Sequence, residues 1–71
     1  MTYVHTNTLR VRRAERAVNQ FDVAAVLGIS RDRYWRIEKG YAQPTDAERE
    51  ALVRYFDVPH AVLFPEHAKA S

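Results

Sequence analysis

An all-α domain of five short helices is the fold this sequence predicts, and three observations carry the prediction. Helix-capping residues recur along the chain at helix-length intervals, at Asn19, Ser30 and Thr45. Between them the apolar residues fall at helical rather than alternating spacing. The two glycines, Gly28 and Gly40, and the three prolines, Pro44, Pro59 and Pro65, all stand outside those helical runs, where a helix has to begin or end.

The elements follow in order. Residues 1–7 are mixed and β-tolerant and read as a loose arm, with or without a short extended stretch. Asn7 or Thr8 caps a first helix over residues 9 to about 17, rich in arginine and alanine, both good helix formers. Val18 and Asn19 interrupt it, and Asn19 caps a second helix over residues 20–27, with Val23, Ala24 and Leu27 on one apolar face. Gly28 supplies the left-handed backbone of a tight turn. Ile29 is then a buried turn residue. Ser30 caps a third helix over residues 31–39, with Tyr34 and Ile37 on its inner side and Gly40 at its end. After a loop over residues 41–44, Thr45-Asp46-Ala47-Glu48 reads as a capping box, hydroxyl and carboxylate each serving the other's otherwise unpaired backbone N–H. The fourth helix continues to about residue 56, with Ala51, Leu52, Tyr55 and Phe56 turned inward. Asp57-Val58-Pro59 is a turn, because proline disfavours helix at the preceding residue. A short fifth helix over residues 60–64 is stopped by Pro65. The chain therefore divides into an arm (1–7), a helical domain (8–65) and a flexible tail (66–71).

Composition narrows the function classes. Seventy-one residues make one domain with one small core. Hydrophobic residues at 46% are too many for a disordered tail. The absence of cysteine excludes a disulfide scaffold and a thiolate metal site. His5, His60 and His67 are scattered without helical pairing, so no metal is expected. Two glycines cannot build a glycine-rich phosphate loop, and Ser30 has no histidine and acid arranged to activate it. No enzyme, cofactor or small-molecule ligand is expected. No apolar run approaches the roughly 18 residues of a membrane span, and no signal-peptide core follows the start. The expectation is a cytoplasmic protein without a membrane partner.

Charge is uneven. Residues 1–40 carry eight basic and four acidic side chains, residues 41–71 three basic and five acidic. A basic half facing a polyanion and an acidic half facing away suits nucleic acid, although solvated helices carry such charges too. The run from Gln20 to Gly40 sharpens the reading. Two short helices meet across Gly28-Ile29-Ser30, the small Ala24 lets them approach, and the first turns of the third helix project outward. A DNA major groove accepts such a helix.

Residues 9–64 resemble the Cro/lambda-repressor-like, or Xre, helix-turn-helix family. The matching positions are Arg13, Asn19-Gln20, Val23-Ala24, Leu27-Gly28-Ile29-Ser30, Ile37-Glu38-Lys39-Gly40 and Pro44, followed by Leu52, Tyr55-Phe56-Asp57-Val58 and Leu63-Phe64. The resemblance implies a compact five-helix lambda-repressor-like DNA-binding domain with a central helix-turn-helix. It departs at Ala17, where the family usually has glycine, so the first helix is expected to end differently. Trp35 is unusual on the third helix and either packs at the rim or faces the partner.

Roles follow from motif and resemblance together. Arg31, Asp32, Arg33 and Arg36 are expected to contact bases: arginine reaches guanine O6 and N7 with two hydrogen bonds, and Asp32 accepts from cytosine N4 or orients a neighbour. Asn19, Gln20, Ser30, Lys39, Tyr41 and Gln43 are expected at phosphates. The resemblance makes Arg13 and Glu38 a structural ion pair rather than a catalytic one. Arg10, Arg12 and Arg16 are either surface charge or backbone contacts. Tyr55, Phe56, Val58, Val62, Leu63 and Phe64 are mainly core, but so small a domain cannot hide all of them, so Val58, Val62, Leu63 and Phe64 are expected to offer a patch to a second copy, with simple core filling as the alternative. The expected partner is double-stranded DNA, bound by a homodimeric regulator, read as a repressor on an inverted repeat, in the cytoplasm of a bacterial or phage-infected cell. The alternative is a protein-binding module on the same fold, such as an antitoxin or a transcription accessory factor.

Overall fold

In a computed structural model, residues 7–65 are described; residues 1–6 of the expected arm and the expected tail, 66–71, lie outside the described residues. The described residues form five helices: α1 (Leu9–Arg16), α2 (Gln20–Leu27), α3 (Arg31–Lys39), α4 (Asp46–Phe56) and α5 (His60–Leu63). The family's all-helical architecture is present.

Side chains start three of these helices. Asn19 accepts from the Asp22 N–H at 2.8 Å, and the Asp22 carboxylate accepts from the Asn19 N–H at 3.3 Å, a capping box at the head of α2. The Ser30 hydroxyl accepts from the Arg33 N–H at 3.1 Å, and Thr45 and Glu48 close a second capping box at α4. Thr8 does not cap α1 with its side chain. Its hydroxyl instead donates to the Val62 carbonyl at 2.7 Å, and Asn7 accepts from the Leu9 N–H at 3.1 Å.

Four helices end on a residue with left-handed backbone: Ala17, Gly28, Gly40 and Asp57. At Gly28 the N–H donates to Ala25 and that of Ile29 to Ala24; at Gly40 the N–H donates to Ile37 and that of Tyr41 to Arg36. These paired bonds cover carbonyls that the last helical turn leaves open. The expectation of a different end for the first helix is corrected. Ala17 takes the glycine conformation, φ 56° and ψ 39°, with the same bond pattern, Ala17 to Ala14 and Val18 to Arg13. The two carbonyl bonds hold the alanine there against the steric cost of its Cβ.

Leu9, Val23, Ala24, Tyr34, Ile37, Leu52, Phe56, Leu63 and Phe64 form the core, drawing on every helix and the residue after α5. Leu63 and Phe64 were expected among the residues facing a second copy. They are instead buried in this chain's own core, in one cluster with Leu9 and Phe56, because a domain this small needs the side chains at the end of α5 to close it. Val58 and Val62 are half-buried and keep part of their surface. Tertiary hydrogen bonds tie the ends of the chain to the middle: Asn7 Nδ2 donates to the Ile37 carbonyl at 2.9 Å, and the Thr8 N–H to the Leu63 carbonyl at 3.0 Å. Arg16 donates to the Phe56 carbonyl at 3.0 Å, where a cation also suits the negative end of α4.

Candidate nucleic-acid interface

Helix α3 owes its outward face to what holds its inner one. Tyr34 and Ile37 are buried in the core, and an ion pair flanks them on each side. From α1, Arg13 donates through Nε to Glu38 Oε2 and through Nη2 to Glu38 Oε1, both at 2.9 Å. From α4, Glu48 receives Arg33 in the same fork, Nε to Oε2 at 2.9 Å and Nη2 to Oε1 at 2.8 Å. The polarity is reversed between the two pairs. Helix α3 contributes the carboxylate on one flank and the guanidinium on the other, and its roll about its own axis is set by both.

The electrostatics agree with the geometry. Burial alone would raise the Glu38 pKa, but hydrogen bonds, chiefly from Arg13 and then Gln20, outweigh it and bring the group below the ordinary carboxylate value. Glu48 is also lowered, first by the Arg33 hydrogen bonds, against a smaller effect of burial. Both guanidiniums are raised by the same hydrogen bonds. The Tyr34 ring lies beside the Arg13–Glu38 pair, and burial pushes its phenol far above its ordinary pKa.

The expected phosphate contacts surround this frame. Gln20 donates through Nε2 to Glu38 Oε1 at 3.1 Å and accepts from Arg31 Nη1 at 3.3 Å, so a chain of hydrogen bonds runs from Arg13 through Glu38 and Gln20 to Arg31. Arg13, Asn19, Gln20, Phe21 and Arg31 line a shallow depression of about 350 Å³ at the head of α2. Phe21, 69% exposed, is part of this lining although nothing in its sequence neighbourhood marks it as a contact. Ser30, Lys39, Tyr41 and Gln43 are all exposed.

The expected base contacts do not share one situation. Arg31, Asp32 and Arg36 are exposed, with Arg36 Nη2 and Asp32 Oδ2 3.0 Å apart on the surface. An exposed pair of this kind is worth about 0.3–0.5 kcal/mol and yields readily to a better partner. Arg33 is turned toward α4, where two of its three nitrogens engage Glu48, a residue only 9% exposed. Pulling Arg33 away would strand that carboxylate at about 3 kcal/mol, the lower end for a buried pair because Arg33 itself is partly exposed. A good guanine contact returns about 1–3 kcal/mol, which offsets that cost only at the top of its range. Trp35 packs its ring on Tyr41, centroids 5.7 Å apart, and remains 37% exposed at the edge of the same face.

Two short helices joined by a glycine turn, the second presenting arginines to solvent, define a helix-turn-helix DNA-binding domain. The family model for the helix-turn-helix domain, of the kind typical of Xre/Cro-like regulators, matches residues 7–63, and the chain belongs to that family. A comparison with curated proteins finds no match. The family is typically non-enzymatic. Among the described residues no helix is long and apolar enough to cross a membrane.

Proposed function

We propose that this protein is a sequence-specific double-stranded DNA-binding regulator that places α3 in the major groove. The observation that carries the reading is the exposed face of α3, where Arg31, Asp32 and Arg36 stand clear of the core on a helix clamped from both sides. Bidentate arginine on guanine is the commonest specific base contact, and Asp32 matches the cytosine amino group. Asn19, Gln20, Ser30, Lys39, Tyr41 and Gln43 supply phosphate contacts that set register without reading sequence. The head of α2 suits a phosphate, since its backbone N–H groups and the positive end of its dipole meet there beside Gln20 and Arg31.

The regulator acts as a homodimer on an inverted repeat, and blocks transcription by occupying it. Val58 and Val62, both half-buried, offer part of their apolar surface to a second copy. Val58 also lines, with Val53, Arg54 and Pro59, an open groove of about 660 Å³ beside the α4–α5 turn. Two-fold pairing there would present two copies of α3 to successive major grooves.

Selection from a random duplex library at moderate salt tests this reading. An enriched inverted repeat with half-sites about 10 base pairs apart is the expected result. Retention of DNA without enrichment, abolished by raising the salt, would refute sequence-specific reading and leave only backbone attraction.

A further inference from the structure

We propose that Glu48 withholds Arg33 from DNA, so that α3 reads bases through Arg31, Asp32 and Arg36 and the fourth charged residue of its first two turns is kept out of the groove. The inference rests on the reading that the exposed face of α3 meets DNA. Arg33 Nε and Nη2, the edge it gives to Glu48, form the same two-donor fork that an arginine offers to guanine O6 and N7. That fork is occupied, and the edge left to Arg33, Nη1 with the outer N–H of Nη2, is held in the plane that the Glu48 pair fixes rather than free to follow a base. Glu48 cannot swing aside to release the fork either. Its Oε1 also accepts from the Thr45 N–H at 2.8 Å, so moving the carboxylate opens the N-terminus of α4 as well as the ion pair. Arg36 makes the contrast. Its partner Asp32 lies on the same exposed turn of the same helix, and both remain in solvent.

The consequence is selectivity. A third free arginine on this face would strengthen binding to every duplex through its charge and would reward guanine at a further position. Holding it against α4 removes both effects, and the preference left is that of the remaining three side chains.

Three variants test the assignment by library selection on folded protein. Arg33→Ala is expected to select the same base preferences as the native chain while melting at a lower temperature. Glu48→Gln keeps an amide oxygen for the Thr45 N–H but loses the charge that holds the fork. It is expected to select one additional G·C preference in each half-site, with affinity for that sequence rising about fivefold to 150-fold, the range of a bidentate arginine–guanine contact. The double variant Arg33→Ala/Glu48→Gln should lose that gain. The proposal is overturned if Arg33→Ala erases a preference the native chain shows, or if Glu48→Gln selects the native preferences unchanged. Should Glu48→Gln not fold, Arg33→Ala decides alone. If the native chain itself enriches no sequence, base reading by α3 fails, and the withholding of Arg33 fails with it.

Discussion

Arg13 and Glu38 form the most buried ion pair among the described residues. Their side chains are 20% and 4% exposed and share two hydrogen bonds of 2.9 Å. Glu38→Ala strands the guanidinium and leaves Gln20 without its acceptor, at a cost of about 3 kcal/mol. In a domain of this size that lowers the melting temperature by more than about 10 °C, measured by circular dichroism. Operator affinity at low temperature, where the variant is still folded, should change less than stability does, because neither group is among the proposed base contacts and only the bracing of Gln20 is lost. Arg36→Ala is expected to behave the other way round. It leaves melting nearly unchanged, since its partner is an exposed aspartate, and relaxes preference at one base pair by about 1–3 kcal/mol, read from competition with single-base operator variants. Gln20→Ala is expected to weaken binding to all sequences about equally, because a phosphate carries no sequence information.

At the scale of the element, the ends of the helices decide more than their middles. Helices α2 and α4 begin with reciprocal side-chain caps and α3 with a single one; Asn19, Ser30 and the Thr45–Glu48 box were legible as caps, whereas the Asp22 half of the α2 box appears only in the structure. The end of α1 was not legible. Ala17 adopts a backbone that costs an L-residue roughly 1–2 kcal/mol, and glycine takes it freely. Ala17→Gly should therefore stabilise the protein by about 0.5–1 kcal/mol after the greater unfolded-state freedom of glycine is counted. A rise in melting temperature of a few degrees is the expected result, and a fall would show that α1 unwinds beyond Glu15 when its alanine is removed. Asp57 ends α4 in the same conformation, with its N–H on the Val53 carbonyl at 2.8 Å, and aspartate tolerates that backbone better than alanine does.

For the whole molecule, the two ion pairs that flank α3 couple stability to pH. Both Glu38 and Glu48 have folded pKa values below the ordinary carboxylate value of about 4.3. As pH falls, the unfolded chain takes up these protons before the folded one does. Their contribution is therefore fully present above the unfolded value and is lost as pH drops through the folded values. The melting temperature should be flat from neutral pH to about 5 and fall steadily below about 4.5. In Glu38→Gln the fall should be shallower, because one of the two linked carboxylates is gone. A profile identical to that of the native chain would remove Glu38 from the linkage. The same two pairs join α1, α3 and α4, so acid should loosen the orientation of α3 along with the fold.

Local chemistry was enough for the order of the five helices, their caps, the glycine turn before α3 and the inward positions of Val23, Ala24, Tyr34 and Ile37, because each depends on residues within one helical turn of each other. The Arg13–Glu38 pair came from the family's pattern rather than from spacing, since 25 residues separate its members. What only the tertiary structure decided are relations across the chain. Glu48 looked complete as half of a capping box, and nothing in its neighbourhood announced that it also binds Arg33, 15 residues away. Leu63 and Phe64 carry the same apolar character whether they face a second copy or their own core, and only their burial in the folded chain's core cluster distinguishes the two. Side-chain type sets which contacts a residue can make; the competition among partners brought close by folding sets which of them it does make.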